Sequence, residues 1–189
     1  MSDVLNLFID RMDTPIGELL LVADERGRVR AVDWTDHEQR MLRLLHLHYS
    51  SNEFKIEPAH NSHSLKHAME AYFADDVNAI VDLPVETAGT PFQRMVWNEL
   101  RSIPVGASVS YRKVAEQIGR PMAVRAVGLA NGANPIGIVV PCHRVIGSNG
   151  SLTGYGGGLE RKRWLLDHER RHLTTYDDGQ TIDPKFLGQ

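Results

Sequence analysis

Ser110-Tyr111-Arg112-Lys113-Val114-Ala115-Glu116-Gln117-Ile118-Gly119-Arg120-Pro121-Met122-Ala123-Val124-Arg125-Ala126-Val127-Gly128-Leu129-Ala130-Asn131 reads as two short helices around a glycine turn. Ser110 is a helix N-cap, Tyr111 to Ile118 the first helix and Gly119 its C′ residue. Pro121 opens a second helix running to about Asn131, where Gly132 and Pro135 stop it. That arrangement predicts a helix-turn-helix. The second helix carries small residues and a single Arg, whereas a helix that reads bases in the major groove needs several long polar side chains. Two readings remain. In one, a helix rich in Ala and Gly packs tightly against another helix. In the other, small residues allow close approach to a backbone or shallow groove, and Arg125 enters the base stack as a minor-groove side chain does. Arg94, Arg101, Arg112, Lys113 and Arg120 lie nearby in sequence and favour nucleic acid.

Upstream, Thr90-Pro91-Phe92-Gln93 is a helix start, with Thr90 as N-cap and Gln93 as its return partner. Phe92, Val96, Leu100 and Ile103 follow at helical spacing. Downstream, Ile136 to Val140 is a strand-like apolar run halted by Pro141, and Pro141-Cys142-His143-Arg144-Val145 comes next. A glycine-rich loop from Gly147 to Gly158 leads into a last helix, Leu159 to Glu169, and 170–189 form a loose polar tail. A thiol attacks only as thiolate, and a neighbouring base or cation favours that form. His143 and Arg144 supply both. Adjacent residues on an extended segment point apart, so a bridging water with an acid orienting the imidazole suits the pair better than direct contact. A lone Cys beside a strand is equally read as a small buried hydrophobe. Charged neighbours at a strand end imply an edge or cleft.

The front half begins as an antiparallel meander: Val4–Asp10, Glu18–Ala23 and Arg28–Trp34 are strand-like, separated by Thr14-Pro15-Ile16-Gly17 and Asp24-Glu25-Arg26-Gly27. Thr35 with Glu38 makes a capping box before a helix through Met41, Leu42, Leu44, Leu45 and Leu47. Glu53–Glu57 is a further candidate strand. A second helix, about Ser62 to Ala74, would bury Leu65, Met69, Tyr72 and Phe73. Residues 1–88 hold 8 Lys and Arg against 16 Asp and Glu, a balance of −8, while residues 89–170 hold 11 against 5, a balance of +6. The split predicts two domains, 1–88 and 89–169, with a polyanion partner at the back. The chain has 189 residues, 42% hydrophobic and 24% charged, which excludes collagen, a coiled-coil rod and general disorder. Its one cysteine excludes an internal disulfide and a multi-cysteine structural zinc site. Nothing at the N-terminus resembles a signal peptide, and Ala126 to Cys142 is too short and broken to span a bilayer. The expectation is a cytoplasmic protein that engages no membrane. His60, His63 and His67 read as a solvated helix face, Gly154 to Gly158 as a mobile pocket wall and Arg161-Lys162-Arg163 as a solvated patch.

Taken together, these motifs resemble the O6-alkylguanine-DNA alkyltransferases. The likeness rests on Pro141-Cys142-His143-Arg144-Val145, Gly89-Thr90-Pro91-Phe92-Gln93, Tyr111-Arg112-Lys113-Val114-Ala115, Arg125-Ala126-Val127-Gly128, Asn134-Pro135, the Gly154–Gly158 loop and Trp164-Leu165-Leu166-Asp167-His168-Glu169. It covers residues 89–169 and, more loosely, the front half. The resemblance implies an α/β (α+β) fold. A small N-terminal antiparallel-sheet-plus-helix domain of RNase H-like type would precede a mainly helical, winged-helix-like DNA-binding domain. It implies a monomer that binds duplex DNA carrying O6-alkylguanine, flips the damaged nucleotide and moves the alkyl group irreversibly to Cys142. No metal or cofactor is implied. His143 would act as base through water, oriented by Glu169. Tyr111 would clash with the target phosphate and later protonate the leaving guanine, and Asn134 would tie the recognition helix to the cysteine segment. Arg125 would fill the gap left by the flipped base, with Tyr111, Ala123, Gly128 and Arg94 also on the DNA. Tyr155, Val145, Gly156 and Pro141 would line the pocket. Gly156 stands where some relatives carry Ser, which implies room for bulkier adducts and O4-methylthymine.

Two other classes compete. A non-catalytic lesion-binding or regulatory DNA-binding protein would use the same helix-turn-helix but would need neither Cys142, His143 nor Glu169. A cysteine hydrolase acting on small molecules fits Cys142 and His143 but leaves the basic half and Arg125 unused, and it predicts turnover.

Overall fold

The computed structural model describes residues 4–49, 54–59 and 64–173. The chain divides into two units, and the division is not a single cut. One unit is 1–90 together with Pro135–Val139; the other is Pro91–Asn134 with 140–189.

In the first unit, β1 (Leu5–Thr14) and β2 (Gly17–Asp24) form a hairpin whose ends pair Thr14 with Gly17. Thr14 Oγ1 donates to Gly17 O at 2.5 Å and accepts from Ile16 N at 3.2 Å, so the turn chemistry closes it locally. Asp24 closes the next turn by accepting from the amides of Arg26 and Arg28, and Gly27 takes φ 73° there. β3 (Val29–Trp34) completes the meander. β4 (Phe54–Pro58) then pairs parallel with β1, giving a mixed sheet in the order β3-β2-β1-β4 rather than a purely antiparallel one.

Leu20 and Val22 of β2 pack with Leu7, Ala31, Met41 and Leu45. Leu19 and Leu21, of opposite parity, are equally buried, so the sheet is covered on both faces. The covering helices are α1 (Glu38–His48) and α2 (Ser64–Phe73). The Thr35 capping box does not form. Residues 35–37 make a 3-10 turn, and the Thr35 hydroxyl lies against Glu18 O and Glu18 Oε2, at 3.0 and 2.7 Å. α2 buries Leu65, Met69 and Tyr72, while Phe73 is only half-buried. His60 and His63 lie outside the described residues, and His67 is exposed with its Nδ1 3.7 Å from Glu70.

The sheet edge at β3 is covered by two single bridges. Val29 N donates to Pro84 O, and Val32 exchanges bonds with Pro135 O and Gly137 N. The run Ile136–Val140, expected as a strand, is therefore a bridge followed by a turn, with Ile138 at φ 67°. A β-branched residue there is strained. Gly137 fits because a Cβ would stand only 3.0 Å from Val32 O.

In the second unit, α3 (Pro91–Ser102) buries Val96, Trp97 and Leu100. β5 (Val109–Ser110) leads to α4 (Tyr111–Gln117), which starts on Ser110 Oγ accepting from Lys113 N at 3.1 Å. Its end is a Schellman motif: Gly119 N donates to Glu116 O, Arg120 N to Ala115 O, and Gly119 takes φ 69°. α5 (Val124–Gly132) begins three residues later than Pro121 suggests, because Ala123 N closes a turn on Arg120 O. α5 packs on α3, where the Trp97 indole donates to Ala130 O at 2.8 Å. After a 3-10 turn at Cys142–Arg144, β6 (Val145–Ile146) pairs parallel with β5, and α6 (Leu159–Leu173) follows. α6 extends four residues into the segment expected to be loose; 174–189 lie outside the described residues.

Candidate active site

Pro141 ends the bridge segment, and the chain turns at once, so Cys142, His143 and Arg144 sit on a 3-10 turn rather than a strand end. All three are interior: Cys142 is 5% exposed, His143 0% and Arg144 4%. The edge or cleft inferred from the charged neighbours is instead a buried charge cluster, stabilised by one acid from α6. Glu169 is fully buried, and its Oε1 lies 2.8 Å from His143 Nε2. Arg144 grips the same carboxylate twice, Nε to Oε2 and Nη2 to Oε1 at 2.9 Å each, and its Nη1 donates to Ile103 O. The amide of Gly106 adds a fourth bond to Oε2 at 3.1 Å. Burial alone would push the Glu169 carboxyl up, but the His143 and Arg144 donors hold it far below the carboxylate range. Burial pushes the His143 imidazole down despite the pull of Glu169, so it is neutral at pH 7. With Nε2–H committed to Glu169, the lone pair of a neutral ring is on Nδ1, which has no hydrogen-bond partner among the described residues.

Lys162 is the second surprise. The Arg161-Lys162-Arg163 run reads as a solvated patch, yet Lys162 is 0% exposed, donating from Nζ to Val145 O at 2.5 Å and Thr153 O at 2.8 Å. Desolvation brings its ammonium down to about 8, against the opposing influence of Cys142. Thr153 O also accepts from the Tyr111 hydroxyl at 3.1 Å, and Gly154 O lies 3.4 Å from that hydroxyl, so the glycine loop is tied at its start. Burial raises the Tyr111 phenol, with Thr153 opposing and Cys142 adding to the rise. α5 lies close by, and a Cβ on Gly128 would touch the Tyr111 ring at 4.0 Å.

Two asparagines fasten α5 to the cysteine segment. Asn134, 1% exposed, donates from Nδ2 to Val140 O at 2.9 Å, and Asn131 Nδ2 lies 3.4 Å from Cys142 O. Arg125 is exposed on the other side of α5, Ala123 is half-buried before it, and Arg94 is exposed on α3. Val145 and Pro141 are buried, while Tyr155 and Gly156 are half-buried. Sequence reasoning passed over Arg144 as a carboxylate clamp, Lys162 as an interior cation and Asn131 as a link to Cys142. Only the proximity of Arg144 to Cys142 hinted at the first.

Residues 91–171 match the family model described as the 6-O-methylguanine DNA methyltransferase, DNA binding domain. A methylated-DNA–protein-cysteine methyltransferase of Shigella flexneri is 51% identical over 166 residues, 88% of this chain and 97% of the relative. The crystal structure of Mycobacterium tuberculosis O6-methylguanine methyltransferase superposes with TM-score 0.66 at 38% identity, covering 90% of this chain and 99% of that one. The structure of M. tuberculosis OGT in complex with DNA gives 0.65 at 37%, covering 91% and 99%. With a relative of that identity matched over nearly its whole length, and a buried cysteine followed by a His and an Arg that both hold the Glu169 carboxylate, the chain belongs to the methylated-DNA–protein-cysteine methyltransferase family.

Proposed function

We propose that the chain repairs DNA by direct reversal, moving a methyl or larger alkyl group from O6-alkylguanine, and from O4-methylthymine, to the sulfur of Cys142. It acts as a cytoplasmic monomer on duplex DNA. The observation that carries this reading is the Cys142–Arg144 turn with its Glu169 anchor. Glu169 fixes the histidine tautomer, so Nδ1 is the basic nitrogen and takes the thiol proton through one water. Lys162 sets a buried positive charge near the sulfur as the thiolate develops. The thiolate attacks the alkyl carbon; the S–C bond forms as the C–O6 bond breaks, and the electron pair stays on the guanine. A phenol held protonated by burial suits Tyr111 to deliver a proton to that leaving base. In net terms the alkyl group ends on sulfur and the thiol proton on guanine, so the transfer balances without a cofactor. Nothing in this cluster cleaves a thioether, so one molecule repairs one lesion.

The target atom lies inside a stacked duplex, so the nucleotide must leave the stack first. Arg125, exposed on α5, fills the gap, with Ala123, Gly128 and Arg94 against the DNA and Tyr111 crowding the target phosphate. Pro141, Val145, Tyr155 and Gly156 line the pocket, and Asn134 keeps α5 and the cysteine segment in step. Intact-protein mass after mixing with an O6-methylguanine duplex tests the reading. Wild type should gain one methyl and stop, Cys142→Ala should gain none while binding the duplex within about twofold, and undamaged DNA should give no gain. Binding without mass gain in wild type would leave a lesion binder, and continued turnover would point to a hydrolase.

A further inference from the structure

Among the described residues, the two most exposed large apolar side chains lie on α5 and in the turn just before it. Met122 is 96% exposed and Leu129 77%. Met122 lies three residues before Arg125, in the turn that leads into α5, and Leu129 four after it, on the side of the helix away from the buried Val127, Ala130 and Asn131. On α5 the exposed positions are Arg125, Ala126, Leu129 and Gly132, at helical same-face spacing, with exposed Met122 in the turn before them, and Arg125 is the only charge among the five. From Arg125 to Leu129 the helix advances about 6 Å, close to two base-pair steps. Isolated exposed apolar residues are ordinary, but two that bracket one arginine mark a contact surface.

We infer that Met122 and Leu129 are apolar brackets that seat α5 against the sugar walls of a DNA minor groove on either side of Arg125. The inference rests on the DNA-repair reading above. Charge identifies the occupant: from Tyr111 to Gly132 there are four cations, Arg112, Lys113, Arg120 and Arg125, against Glu116 alone. A groove of that kind offers phosphate rims to the cations and apolar sugar edges to what lies between them. Met and Leu are among the side chains that minor-groove proteins press against or between base steps. The brackets supply affinity that does not depend on counterion release, and they limit how deep Arg125 reaches. Cations elsewhere on the pair of helices supply the salt-dependent part.

The test is the dissociation constant for undamaged duplex, across a series of salt concentrations, for wild type, Met122→Ala, Leu129→Ala, the double variant and Arg120→Ala. Both apolar side chains are exposed, so folding is unaffected, and thermal melts check this. Each single variant should bind on the order of tenfold more weakly, and the double variant more weakly still, all with the wild-type salt slope. Arg120→Ala should instead reduce the slope by about one. Double-variant affinity within twofold of wild type would overturn the brackets, as would a loss of affinity that tracks a changed salt slope. If affinity is unchanged and a wild-type self-association disappears in the double variant, the face belongs to a second copy and the inference also falls. Wild type that binds no duplex at all would overturn the brackets together with the reading they rest on.

Discussion

Both units bury ions, and they do so differently. In the sheet unit, Asp24 is 3% exposed and receives Arg30 through two nitrogens, Nε at 2.9 Å and Nη2 at 2.7 Å, with Arg28 Nε at 2.8 Å. Burial opposes its ionisation, but those donors and two turn amides hold it below the ordinary Asp range. Arg28 reaches on to Glu86, and Arg40 pairs with Asp33. Each of these six charges has a partner of opposite sign, and none of the six is a nucleophile. In the helical unit, Glu169 is shared by His143 and Arg144, and among the described residues Lys162 donates to carbonyls alone, leaving an excess positive charge that acts on the thiol. Buried charge alone therefore distinguishes nothing. An unbalanced interior charge next to a reactive atom is what marks chemistry.

The comparison is broken most severely by Glu169→Gln, which leaves Arg144 buried without its counterion. The single-turnover transfer rate should fall 10²–10⁴-fold, because Nδ1 is no longer fixed as the base, and the unfolding free energy should drop by about 3–5 kcal/mol. Stopped-flow or quench kinetics with urea titration read both. Retention of wild-type rate would remove the histidine from the mechanism. Asp24→Asn sharpens the contrast from the other side. Stability should drop by about 3 kcal/mol in the same titration, while the transfer rate per folded molecule stays within twofold. A matching loss of rate would mean that the ion pair of the sheet unit is not merely structural.

The smallest effect concerns Lys162 and pH. Its pKa is near 8 folded and 10.5 in the unfolded reference, so between these values the unfolded chain holds more protons and stability rises with pH. Measured against Lys162→Met, wild type should gain on the order of 2 kcal/mol between pH 8 and 10.5 and show no trend below pH 8. A difference independent of pH would place the ammonium in solvent.

How far the sequence could be read follows the range of the interaction. Ser110 and Gly119 act within a few residues, so the first helix of the pair and its turn were legible almost to the residue. Pro121 misled by three residues, because a proline that favours a first helical turn also favours the plain turn seen at 120–123. The apolar run Ile136–Val140 has the composition of a strand, but its partner, Val32, lies a hundred residues away and takes only one bridge. Lys162 was unreadable for the same reason. Nothing in Arg-Lys-Arg says which member faces the carbonyls of Val145 and Thr153. Cys142 and His143 stood out locally as a thiol beside a base, but Glu169 as the orienting acid came from family resemblance, since 26 residues separate the histidine from its acid and no local spacing joins them. The carboxylate clamp by Arg144 needed coordinates.

The excursion of Pro135–Val139 into the sheet unit also carries a timetable for synthesis. A ribosome releases the whole of 1–90 before the five residues that complete its β3 edge exist. At about 5–20 residues per second, that edge waits roughly 2–10 s for Val139. During that interval Val32 presents open amide and carbonyl groups to anything nearby. The nascent chain is then most exposed to mispairing, and the segment that ends the hazard is the one that delivers Cys142 three residues later.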